Sequence, residues 1–238
     1  MMVTGRSPPV LTQQELETPR SAADMLSWID TAHGRFDTKE LKAQAREGKH
    51  FSNELVLEAR PMALFTQRYF KASPQVIIAH VLGNQNYDGV VEDKRPHPEP
   101  IRYLEVTTTL KTYEDSLRME LLNKQGHVAA YGPVTAEGSR HKRISIRAEG
   151  LAREHKSIRA DHLKLVQDAV ERKAKKKYEK NTALIVAVDD LVPFREKADV
   201  DALDKLAKEV LVPMLKATNF SLLALEGSNG LHLCYPIN

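Results

Sequence analysis

Residues 182–188, Thr-Ala-Leu-Ile-Val-Ala-Val, form a run without a single charge. The run is strand-length and far too short to cross a bilayer. Because it is apolar at nearly every position instead of alternate ones, both of its faces need cover. A strand of that kind belongs inside a sheet with helices on either side, so the expected class is α/β. A second apolar, β-branched run, residues 76–82, is followed by Gly83-Asn84-Gln85-Asn86 and then by extended residues 87–92, the pattern of a hairpin. Residues 101–110, entered from a proline-rich loop at 96–100, make the clearest strand of the chain. Residues 220–225 and 231–235, joined by Gly227-Ser228-Asn229-Gly230, give a C-terminal hairpin.

Helical spacing fills the intervals. Residues 1–20, rich in Pro, Ser, Thr and Gln, read as an arm or an irregular wrap. Ser21 is placed to cap a short helix ending near Gly34, and Asp37-Thr38-Lys39-Glu40 opens another. Residues 51–70 are helical, with Pro61 expected to kink or divide them. A helix at 113–125 closes at Gly126, and an irregular or hairpin-like stretch follows at 127–138. A long helix over 157–180 carries Leu163, Val166, Val170 and Ala174 on one side and is expected to keep most lysines on the other. The final helix covers 200–217. This gives an N-terminal arm with accessory helices over 1–50 and an α/β domain over 51–238, with an insertion around 113–156.

Composition narrows the chemistry. Cys234 is the only cysteine, which excludes an internal disulfide and a multi-cysteine zinc site and suits a reducing compartment. No apolar leader follows the basic start and no run could span a membrane, so a cytoplasmic protein without membrane partners is expected. The histidines lack zinc-enzyme spacings, Cys234 lies in an expected strand and reads as having no histidine near it to make it a nucleophile, and no glycine-rich phosphate loop occurs. The net charge of +3 is small but uneven, with basic residues concentrated between positions 140 and 180. Within that segment Lys173, Lys175 and Lys176 are expected to form a nucleic-acid-binding face. The alternative is a merely solvated helix surface.

Three carboxylates stand where chemistry could be done. Asp88 opens an extended segment, Glu105 lies in the clearest strand two residues before Thr107, and Glu54 sits one turn from Glu58 on the first core helix. Residues two apart on a strand share a face, so Glu105 and Thr107 point together, and neighbouring strands would bring Asp88 alongside. Converging carboxylates offer hard oxygen ligands suited to Mg²⁺ or Mn²⁺.

The order helix, strand, strand, strand, inserted helix, long helix, buried strand resembles the αβββαβ core of the restriction-endonuclease-like PD-(D/E)xK nucleases. Tyr87-Asp88-Gly89-Val90-Val91 is similar to that family's Asp element and Leu104-Glu105-Val106-Thr107 to its Glu element, with Thr107 at the position of the motif lysine. The resemblance implies a central mixed sheet flanked by helices, with an N-terminal helical extension and a C-terminal hairpin. It further implies Asp88, Glu105 and the Val106 carbonyl as metal ligands at the edge of that sheet, and Glu54, or else Glu58, as the helix carboxylate. Lys111 is an alternative source of the missing ammonium. The implied activity is Mg²⁺-dependent hydrolysis of DNA phosphodiesters. A fold that has lost catalysis and binds nucleic acid or a protein partner is the alternative, and a homo-oligomer is compatible with either.

Overall fold

The computed structural model describes residues 10–110, 112–129, 132–139 and 142–237; Lys111 lies outside them. The chain is α/β, built on one mixed seven-stranded sheet flanked by helices. The order across the sheet is β1 (Arg20–Ser21), β2 (Val76–His80), β3 (Gly89–Asp93), β4 (Tyr103–Thr108), β7 (Thr182–Val188), β8 (Phe220–Gly227) and β9 (His232–Pro236). β4, β7 and β8 run parallel, while β2–β3, β3–β4 and β8–β9 are antiparallel. The uncharged run is β7, between two parallel neighbours and buried almost throughout. Both expected hairpins are present.

Each face of the sheet carries its own core. On one, Leu104, Val106, Ala183 and Ile185 meet Leu55, Met62 and Phe65 of a helix that begins as a π-helical stretch, Glu54–Ala59, and continues as α4 (Arg60–Tyr69). Pro61 neither breaks nor divides it. The wider winding just before the proline accommodates a residue that cannot donate to the turn behind it. The same device recurs at Ala207–Leu211, ahead of Pro213 in α8 (Val212–Leu215). On the other face, Leu184, Val186 and Leu223 pack under α6 (His155–Ala174), α7 (Lys197–Leu206) and α8.

Residues 10–50 are more than an appendage. Helix α1 (Gln13–Glu17) is closed by a reciprocal cap between Thr12 and Glu15, and Leu11, Leu16, Met25, Ile29 and Phe36 are buried in the first core. Helices α2 (Met25–Gly34) and α3 (Lys39–Arg46) complete the segment, with Asp24 rather than Ser21 at the α2 N-cap position. Ser21 instead pairs through β1 and donates its hydroxyl to Asp24. The insertion contains α5 (Thr112–Gln125) and a separate hairpin, β5 (Val134–Ser139) and β6 (Lys142–Ala148), around a small cluster of Leu117, Leu121 and Val134. No helix among the described residues is long and apolar enough to cross a membrane.

Candidate functional site

The β3–β4 ladder is short. Gly89 pairs with Leu104 and Val90 with Tyr103, and beyond Leu104 the strands part. Continuing that register by one residue sets Asp88 opposite Glu105. The Asp88 backbone N–H still donates to the Leu104 carbonyl at 2.8 Å, but the Val106 N–H has lost its strand partner and donates instead to Asp88 Oδ2 at 2.7 Å. A buried backbone donor must be satisfied, and here a carboxylate satisfies it. In a strand the N–H and carbonyl of one residue point to the same edge, so the Val106 carbonyl also faces the gap beside Asp88. The expected position at the sheet edge is therefore corrected. Both strands are interior, and the site is the cleft where they diverge.

Gly89 belongs to this construction. A Cβ there would stand 2.6 Å from Met62 Sδ, so only glycine lets β3 begin directly over α4. Asp88-Gly89 is thus a functional candidate followed at once by a packing requirement. Strand β2 contributes from the other side, since His80 pairs with Gly89 and its Nε2 lies 3.1 Å from Glu58 Oε2. The negative charge of Glu58 adds to the upward shift of the Asp88 carboxyl. Of the two helix glutamates, Glu58 reaches the end of β2 where β3 starts. Glu54 Oε2 and His80 Nδ1 are buried without a hydrogen-bond partner among the described residues.

Glu105 and Thr107 face α6, as alternation requires, and both are buried. The end of that helix hangs two cations over them. Lys173 Nζ is ion-paired with Glu105 Oε1, and Arg172 Nη2 donates to Thr107 Oγ1 at 3.0 Å. The Tyr178 hydroxyl donates to the same Glu105 oxygen at 3.3 Å. Side-chain exposure is 7% for Glu105 and 14% for Lys173, so this is an inward-facing pair. Thr107 is a neutral hydroxyl, and the ammonium beside Glu105 comes from another element, α6. Lys173 therefore does not share a solvated face with Lys175 and Lys176. Lys175, exposed, pairs with Glu171, and Lys176 is exposed beyond the last residue of α6.

Electrostatics mark the cleft. Burial first, and the charge of Glu105 second, push the Asp88 carboxyl up to about 7, against smaller opposite effects of the Val106 N–H and Lys173. Burial and Glu105 also raise the Tyr178 phenol well above its usual range. Asp88, Glu105 and the Val106 carbonyl, all hard oxygen donors, lie around the point where β3 and β4 part, with the Asp88 carboxyl raised first by its burial and then by the charge of Glu105. A groove of about 440 Å³, lined by Thr108, Thr109, Leu110, Asp168 and Arg172 among others, opens beside it.

The reading that Cys234 has no histidine nearby is overturned. His232 stands two residues before it on β9, with Nε2 3.7 Å from Sγ. The thiol is pushed up to about 12 by burial and by Glu226, which keeps it protonated at neutral pH and leaves it a poor nucleophile.

Sequence reasoning missed Arg172, Tyr178 and His80 as site residues and assigned Lys173 to a nucleic-acid-binding face, where the structure sets it against Glu105. One signal was available. Val166, Ala169, Val170 and Lys173 follow one helical stripe, and a lysine on a buried stripe needs an anion to meet. Comparison of the chain with protein-family models, with curated proteins and with solved structures returned no match to any of them.

Proposed function

We propose that the chain is a Mg²⁺- or Mn²⁺-dependent nuclease of restriction-endonuclease-like fold, or a domain derived from one, acting on DNA phosphodiesters. What supports this reading is the parting of β3 and β4 after Leu104, where Asp88 is locked onto the Val106 N–H and the neighbouring Glu105 is paired with the Lys173 ammonium. Asp88, Glu105 and the Val106 carbonyl would hold the cation, which when bound supplies an activated water and neutralises phosphate charge. Tyr178 fixes one oxygen of Glu105 and leaves the other to the cleft. Lys173 supplies a positive hydrogen-bond donor beside the ligands, the role that Thr107 as a neutral hydroxyl cannot fill. Arg172, held by Thr107, is placed to meet a phosphate oxygen. Glu58, steadied by His80, adds the helix carboxylate, with Glu54 one turn away.

One observation favours the non-catalytic alternative. Glu105 is already satisfied by Lys173 and Tyr178, and Thr107 by Arg172, so the cleft is self-complementary without a cation. Digestion of linear, circular and single-stranded DNA with Mg²⁺ or Mn²⁺ separates the two. Wild type should cut at least one substrate, and Glu105→Ala should cut none while melting normally. If wild type is as inert as Glu105→Ala on all three, the binding reading replaces the catalytic one. For binding, reversing Lys175 and Lys176 to Glu should weaken DNA affinity and flatten its salt dependence by about 0.9 in log–log slope per lost phosphate contact.

A further inference from the structure

On the opposite face of the sheet from Glu105, with β7 intervening, the C-terminal hairpin assembles a second group of donors. Glu226 of β8 pairs in register with His232 of β9, and Cys234 follows two residues later on the same face. Glu226, His232 and Cys234 place one ligand atom each within 4.8 Å of one another. The Glu226 side chain is 0% exposed and does not wander, because Arg68 of α4 donates to its Oε2 at 2.9 Å. The same guanidinium also binds the carbonyls of Gly227 and Leu231, which ties the carboxylate to the hairpin turn.

This arrangement fixes the imidazole. Nδ1 of His232 contacts Glu226 Oε1, and an ionised carboxylate only accepts, so in the neutral imidazole this contact puts the proton on Nδ1 and leaves the lone pair on Nε2. That lone pair faces Cys234 Sγ at 3.7 Å. A tetrahedral cation with a sulfur ligand at about 2.3 Å and a nitrogen ligand at about 2.0–2.1 Å holds the two about 3.6 Å apart. A carboxylate on the far nitrogen is the usual orienting partner of a metal-bound histidine.

We propose that His232 Nε2 and Cys234 Sγ bind a thiophilic divalent cation of the Zn²⁺ type, with Glu226, anchored by Arg68, orienting the histidine from behind. Binding exchanges the thiol proton for the metal–sulfur bond and releases that proton to solvent. His232 is partly exposed, which leaves the remaining coordination positions open to water. The donor set selects against Mg²⁺, which takes oxygen ligands, so this site is separate in chemistry as well as in place from the carboxylate cleft. It stands whether or not the cleft cuts DNA.

Co²⁺ titration of the full chain, followed by absorption, tests it directly. Since Cys234 is the only cysteine, a thiolate-to-cobalt charge-transfer band can come from no other thiol. Wild type should develop the band to saturation, Zn²⁺ should bleach it, and Mg²⁺ should not. Cys234→Ser should abolish it, His232→Gln should abolish it or weaken binding at least about 100-fold, and Glu226→Gln should weaken binding about 10- to 100-fold. Should Glu226→Gln fail to fold, the half-exposed His232→Gln variant carries the test. Absence of the band in wild type, its persistence in Cys234→Ser, or an unchanged affinity in His232→Gln each overturns the site.

Discussion

Replacing Asp88 by Asn should stabilise the metal-free protein at alkaline pH and do nothing for it in acid. In the folded chain burial and Glu105 raise the Asp88 carboxyl from 3.8 to about 7. A carboxyl whose folded value lies above its unfolded value favours the folded state fully below the unfolded value. It loses that contribution as pH rises through the interval, here from about 4 to about 7. At about 1.4 kcal/mol per tenfold, the penalty of the ionised group above pH 7 is about 4 kcal/mol at most. Asparagine keeps an oxygen for the Val106 N–H and can offer its amide to Glu105, but its neutral hydrogen bond is weaker, so a net gain of about 2 kcal/mol is expected. Urea denaturation at pH 8 and pH 4, with Asp88→Asn beside wild type, reads the effect. Added Mg²⁺ should narrow the difference at pH 8 by stabilising wild type preferentially. A variant that is destabilised at pH 8, or whose gain is the same at both pH values, would refute the account of Asp88 as a repelled carboxylate.

Lys173→Met removes the cation facing Glu105 and should lower stability at pH 8 by about 3 kcal/mol, with cleavage falling to the Glu105→Ala level. A fully active Lys173→Met protein would return the search for the ammonium to other elements. Thr107→Lys would place a third cation against Arg172 and Lys173 in a buried setting, so it should destabilise by about 1–3 kcal/mol instead of improving the site; a raised melting temperature contradicts this. Arg68→Met leaves Glu226 buried without its counter-ion and should cost about 3–5 kcal/mol in chemical denaturation, a loss that Arg68→Met with Glu226→Gln should partly recover. Gly89→Ala should cost about 1–3 kcal/mol through the collision with Met62, and Met62→Ala in the same chain should relieve that part of it.

Legibility in the sequence followed the range of the interaction. The uncharged run at Thr182–Val188, the hairpin over 76–92 and the alternation around Glu105 are local patterns set by burial, and each appears as the strand it suggested. The shared face of Glu105 and Thr107 was legible for the same reason, because strand periodicity decides which face a residue occupies. The boundaries of α6 were not. The lysine-rich tail at 175–180 prolongs helical composition past Ala174, where the chain turns to deliver Tyr178 to the core. The Pro61 helix was misread because a π-helical turn is a response to packing that composition does not announce.

By itself, then, the sequence determined the class: a buried parallel strand, two hairpins and amphipathic helices leave little besides a mixed sheet covered on both faces. It also set Glu105 and Thr107 on one face of β4, since a two-residue period carries that information along the chain. Only the tertiary structure decided that β3 and β4 part after Leu104, that Glu58 meets His80 at the end of β2, and that Lys173 turns inward to Glu105. Those facts depend on how far a ladder runs before twist and packing end it, and on which side chain from a helix 68 residues away finds an unneutralised carboxylate. The Glu226, His232 and Cys234 group shows the same division. The spacing of His232 and Cys234 is in the sequence, but the buried glutamate behind them and the arginine that holds it are brought there by the fold.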